Sequence, residues 1–146
     1  MDSANPLVGT WALVGIRAIS ADGGVDPEAY GPAPVGILTY TANGHMTVIF
    51  AQSDRPLLSG NPTSPFDLDT VPALERAQAF SSFSAYAGTY TLAGDRVTHH
   101  VAIASIPNRV GTDLVRVIAL EGDRLTLKTP PTANFTQVEL IWQRLP

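Results

Sequence analysis

Along most of the chain, apolar and polar residues alternate in short runs rich in Val, Ile, Thr, Tyr and Leu, and Gly, Pro, Asn and Asp separate these runs at short intervals. A period of two places alternate side chains on opposite faces of a strand, and the frequent turn residues point to an all-β sandwich or barrel. Eight runs carry the pattern: Leu7–Ser20, Val35–Thr41, His45–Ser53, Tyr86–Leu92, Arg96–Ile106, Thr112–Leu120, Arg124–Thr129 and Val138–Leu145. Only Val71 to Ser84 reads as a helix, which falls between strands 3 and 4 of this series. It follows a cap at Asp69 or Thr70, carries Pro72 in its first turn, and sets Ala73, Ala77 and Phe80 on one face that suits covering an end of the fold. The stretch Ser53–Leu68, with Pro56, Gly60, Pro62 and Pro65, reads as a long irregular loop, either a binding loop or lid, or a plain connector.

Turn chemistry sets the register. Leu92-Ala93-Gly94-Asp95-Arg96-Val97-Thr98 and Leu120-Glu121-Gly122-Asp123-Arg124-Leu125-Thr126 share one pattern, and both read as hairpins turning on Gly-Asp. The first turn pairs Leu92 with Val97, Tyr90 with His99, Gly88 with Val101 and Tyr86 with Ile103; the second pairs Leu120 with Leu125, Ile118 with Leu127 and Arg116 with Thr129. A three-residue loop Ala42-Asn43-Gly44 opposes Tyr40 to Met46, Leu38 to Val48 and Gly36 to Phe50. The apolar face of each hairpin points inward, so His99 lies in the interior and its neighbour His100 outside. Trp11 and Leu13 share a face that continues to Arg17, as do Val138, Leu140, Trp142 and Arg144 in the last strand, unless a bulge breaks the alternation.

Composition narrows the function. The 146 residues suit a single domain across 1–146, and 45% hydrophobic against 15% charged residues leaves apolar side chains to line a core, a cavity or a dimer face. No apolar run approaches the roughly 18 residues of a membrane span. Net charge is −4 and the nine basic residues are scattered, which argues against nucleic acid as a partner. There is no cysteine, hence no disulfide or thiol nucleophile, and the first residues lack the basic and apolar regions of a secretion signal, so a cytoplasmic location is expected. Outward Val115, Val117 and Ile141 form an apolar exterior strip open either to a second copy, as in a homodimer, or to packing under the helix.

One ordered set of residues carries a family resemblance. It runs Leu7-Val8-Gly9-Thr10-Trp11, then Tyr40-Thr41-x-x-Gly44-His45-Met46, then Ala85-Tyr86-x-Gly88-x-Tyr90. It continues with Gly94-Asp95-x-Val97-Thr98-His99-His100, Pro107-Asn108-x-x-Gly111-Thr112-Asp113, Arg116 and a closing Trp142-x-Arg144. Over nearly its whole length the chain resembles the lipocalin-like domain family. The resemblance implies an eight-stranded antiparallel up-and-down β-barrel enclosing a small apolar organic ligand, with Arg144 packed over Trp11 to plug one end. It also implies an aromatic residue where Arg109 stands. True lipocalins place a helix after the eighth strand and are commonly secreted, so an extracellular carrier role does not follow. Some small barrels of related shape act as cofactor-free cyclases or isomerases in natural-product pathways, so enzyme activity is a further implication.

By parity all thirteen acidic residues fall outside the barrel interior, which disfavours mechanisms needing paired carboxylates and metal sites built from acidic oxygens. No Ser-His-Asp set emerges, since Ser105 stands about 20 Å along the strand from His99. His99 and His100 diverge and lack a third ligand, so no metal and no cofactor is expected. Haem on His99 is a remote third possibility. The inward polar groups are then Tyr40, Tyr86, Tyr90, His99 and Arg116, with Leu38, Met46, Val48, Phe50, Val101, Ile118 and Trp142 as ligand-binding walls.

Two functions fit these residues. In one, a cofactor-free isomerase or cyclase acts on an apolar carbonyl- or carboxylate-bearing, polyketide-like metabolite, with His99 as acid and base and Arg116 with Tyr90 or Tyr40 steadying an enolate. In the other, the same residues hold the ligand in a non-catalytic carrier or sequestering protein. For His99 the plainer alternative is a core histidine bonded to Tyr90; for Arg116 it is a side chain reaching water at the mouth.

Overall fold

The computed structural model describes residues 5–130 and 137–146. Nine strands form, β1 (Gly9–Ile19), β2 (Val25–Asp26), β3 (Val35–Tyr40), β4 (His45–Ala51), β5 (Phe83–Ala93), β6 (Arg96–Ala104), β7 (Asp113–Glu121), β8 (Arg124–Lys128) and β9 (Gln137–Arg144). From β3 to β9 each pairs antiparallel with the next in sequence, β1 pairs with β3, and β9 returns to β1, which closes an eight-stranded barrel. The two-residue β2 hangs on the end of β1 at Ala18 and Ile19.

Because β2 adds a strand in a segment without a strand-like run, helix α1 (Ala73–Ser81) stands between β4 and β5, not between strands 3 and 4. The helix is also shorter than the Val71–Ser84 expected. Pro72 sits at its N-cap with an extended backbone and no side chain caps it, so neither Asp69 nor Thr70 serves. None of its residues is buried, and the predicted apolar face of Ala73, Ala77 and Phe80 does not pack into the core. Polar straps hold it instead. Arg55 donates to the Ala79 carbonyl and to Ser82 Oγ at 3.0 Å each, while Ser59 bonds Glu75 through its amide at 2.8 Å and its hydroxyl at 2.6 Å. The loop before the helix is thereby tied to it.

The hairpins follow their turn residues. Tyr40 opposes Met46 across a loop in which Gly44 has φ +94°, the left-handed conformation this turn requires. Leu92 opposes Val97 and Leu120 opposes Leu125, as the Gly-Asp turns dictate. Two bulges then reverse the parity beyond them. In β1, Val14 is an extra residue between Leu13 and Gly15 opposite consecutive residues of β9. Ile16 therefore turns inward, while Arg17 is exposed and pairs with Glu139, a correction to the inward Arg17 that unbroken alternation predicts.

In β6, Ala102 is the extra residue, so Tyr86 opposes Ala104 rather than Ile103, and Ile103 is left 67% exposed. Gly88 makes this possible: a Cβ there would stand 1.9 Å from the His100 carbonyl oxygen. The exterior strip expected at Val115, Val117 and Ile141 is partly buried, and outward Ile37, Ile49 and Ile103 are the more exposed apolar positions.

Candidate functional site

One end of the barrel is plugged. Trp11 is fully buried and its indole nitrogen donates to the Leu7 carbonyl at 3.0 Å. The Arg144 guanidinium lies 4.3 Å from the Trp11 ring centroid, donates to the carbonyls of Val8 (2.8 Å) and Pro6 (2.7 Å), and faces Asp123 at 3.3 Å. Tyr90 belongs to this end. Its hydroxyl donates to the Thr41 carbonyl at 2.7 Å and accepts from Asn5 at 2.9 Å, which removes it from the site the sequence assigned it to.

Above the plug a cavity of about 530 Å3 opens toward α1. That size lies within the range of about 300–1,000 Å3 usual for small-molecule sites. Of the residues chosen from sequence, Leu38, Val48, Phe50, Tyr86, His99, Arg116 and Trp142 line it. Met46 and Val101 belong to the core cluster and Ile118 packs against it, so they do not, and Tyr40 meets the site only through His99. Among the described residues no acidic side chain lines the cavity.

His99 is 1% exposed and held between two tyrosines, its Nε2 2.6 Å from the Tyr40 hydroxyl and its Nδ1 2.6 Å from that of Tyr86. This replaces the bond to Tyr90 expected from their pairing. Burial, then the charge of Arg116 and then that of His100, holds the His99 pKa down at about 3. The imidazole is therefore neutral near pH 7, so one nitrogen donates to a tyrosine oxygen and the other accepts from a tyrosine hydroxyl. Burial raises the pKa of both hydroxyls; at Tyr86 the charges of Arg116 and Arg109 oppose that rise. With both nitrogens engaged, His99 has no free lone pair for a haem iron.

Arg116 projects from β7 into the cavity, and Nη1 donates to the Val115 carbonyl at 3.0 Å. No acid pairs with it among the described residues, and burial lowers its pKa. On the outer face, His100 bonds Asp113 at 2.8 Å and Thr91 at 3.1 Å, an exposed row away from the cavity. Among the described residues no group of three metal-ligating side chains occurs, and no helix is long and apolar enough to cross a membrane.

Tyr30 and Arg109 are among the lining residues that the sequence pattern did not single out. Tyr30, between β2 and β3, donates to the Ser81 carbonyl at 2.9 Å and sets its ring edge against Phe50, linking a loop to the helix across the mouth. Arg109, in the single turn Pro107–Arg109, lies over the Tyr86 ring at 5.4 Å. Nothing in the pattern of that loop showed which side chain enters the cavity. Trp142, fully buried in the cavity wall, leaves its indole N–H without a partner among the described residues.

Comparison with known proteins places this architecture. A protein of Aspergillus oryzae named 4'-hydroxy-3'-methoxypropiophenone carrier protein ppsC is 33% identical over 84 residues, covering 49% of this chain and 76% of that protein. A crystal structure of a lipocalin-like protein from Bacteroides uniformis aligns with a TM-score of 0.47 at 14% identity, covering 97% of this chain and 100% of that one. The family described as lipocalin-like domain matches residues 8–145, and the chain belongs to that family.

Proposed function

We propose that this chain is a binding protein for a small apolar molecule bearing a carbonyl or carboxylate, which it carries or sequesters in the barrel without changing it. The observation that carries this reading is the state of His99. Its two nitrogens are both engaged by tyrosine hydroxyls and its pKa is held at about 3, so the one imidazole of the cavity is poorly matched to proton transfer near neutrality. The absence of any carboxylate among the described lining residues removes the other common general base. The carrier name of the Aspergillus oryzae relative supports the same reading.

A second reading, the cofactor-free isomerase or cyclase, draws support from the Tyr40–His99–Tyr86 hydrogen-bonded chain beside Arg116, which links a buried hydroxyl to one at the cavity wall. One experiment separates the two. Protein is incubated with 4'-hydroxy-3'-methoxypropiophenone, the compound in the relative's name, binding is followed by tryptophan fluorescence, and the compound is recovered for mass spectrometry. Carriage predicts saturable quenching and unchanged compound. Conversion that disappears in His99→Gln establishes the enzyme instead.

A further inference from the structure

The charges at the cavity are all of one sign. Arg116 enters from β7 and Arg109 from the Pro107–Arg109 turn, and no carboxylate among the described residues faces either of them. Arg109 covers the Tyr86 ring, and the charges of both arginines act on the Tyr86 hydroxyl, so the two guanidinium groups flank one side chain. The indole N–H of Trp142, fully buried, adds a third donor with no acceptor among the described residues. A guanidinium offers only donors, and so does an indole. An empty cavity therefore keeps the Arg116 cation largely buried without an acid, where an unpaired charge is costly, with Arg109 half-buried at the mouth, and leaves one buried donor unmatched.

The sequence supplied acids elsewhere. Arg17 has Glu139 and Arg144 has Asp123, whereas no acid among the described residues lines the cavity that Arg116 enters. Resting on the binding-protein reading above, we infer that the cavity takes its ligand as an anion, the conjugate base of a small apolar organic acid. The anionic group sits beside Tyr86, between Arg116 in the wall and Arg109 at the mouth. The apolar body extends down toward Leu38, Val48 and Phe50. A guanidinium matches a carboxylate or an enolate oxygen through charge-assisted hydrogen bonds, and in an apolar site such a pair discriminates strongly against an uncharged isostere.

Naphthoate and acetylnaphthalene share one flat frame and differ mainly in charge, so they test the point directly by isothermal titration calorimetry at pH 7. Wild-type protein is expected to bind naphthoate at least about tenfold more tightly, a step of about 1.4 kcal/mol. Arg116→Gln should abolish that preference while leaving acetylnaphthalene affinity within about twofold. Arg109→Gln, in a surface turn where folding is not at stake, should lower the preference by about threefold. Equal affinity of wild-type protein for the two compounds overturns the anion inference and leaves the pocket reading standing. So does a preference that survives both substitutions. If neither compound binds, the binding-protein reading itself fails, and this inference with it.

Discussion

The two ends of the barrel use the same residue types to opposite effect. At the plugged end Arg144 has an aromatic ring, two carbonyls and an aspartate around it, and the Tyr90 hydroxyl both donates and accepts. At the open end Arg116 has one carbonyl and the Tyr86 hydroxyl but no acid, Arg109 lies on a tyrosine face, and the Trp142 N–H has no partner among the described residues. A polar group whose bonds are all made within the chain contributes to folding. One left with donors to spare costs stability and is available to a ligand. On the binding reading proposed above, the plug serves stability and the cavity the ligand, and the difference lies in partners rather than in residue types.

Substitutions at each end test this contrast. The largest effect is expected from Trp11→Ala, which empties a fully buried site in the plug and should cost about 3–5 kcal/mol in urea unfolding. Arg144→Met should follow, at about 2–3 kcal/mol, because it removes the cation over Trp11 and orphans two carbonyls. The matching change at the open end, Arg116→Met, should alter the stability of ligand-free protein by no more than about 1 kcal/mol, with a gain as acceptable as a loss. Comparable large losses from both arginines would break the comparison.

Acid sharpens it further. The folded His99 pKa of about 3 lies below the ordinary 6.5, so the unfolded chain takes up a proton before the folded one does. Its contribution to stability is complete above about pH 6.5 and is lost as pH falls toward 3, at up to about 1.4 kcal/mol per pH unit. Between pH 6.5 and 5.5 wild-type protein should lose about 1 kcal/mol more than His99→Gln does, as measured by parallel urea titrations. A difference that stays constant with pH would mean that His99 is protonated as readily in the fold as in the unfolded chain.

Legibility varied with the range of the interaction. Gly94-Asp95 and Gly122-Asp123 are local signals, and the pairs next to them stand where the turn type puts them. The opposite facing of His99 and His100 was readable for the same reason. The partners of His99 were not, because Tyr40 and Tyr86 approach it from two other strands, and three strands in one layer of a closed barrel meet only after closure. Tyr90 is directly opposite His99 in the ladder, yet its hydroxyl turns to the plug, where Thr41 and Asn5 satisfy both its lone pair and its proton.

The sequence by itself determined the eight barrel strands, the hairpin registers next to the turns and the acid-free interior face, since alternation and turn residues act over a few positions and charge needs only a face to be placed on, while the Trp11–Arg144 plug came from the family resemblance. Only the tertiary structure decided where alternation breaks. The extra residues Val14 and Ala102 carry no turn or alternation signal of their own, and each reverses every side chain beyond it in its strand. That is why Arg17 left the interior for Glu139 while Arg116 stayed inside, and why Arg109, from a loop with no period to read, joined it at the mouth.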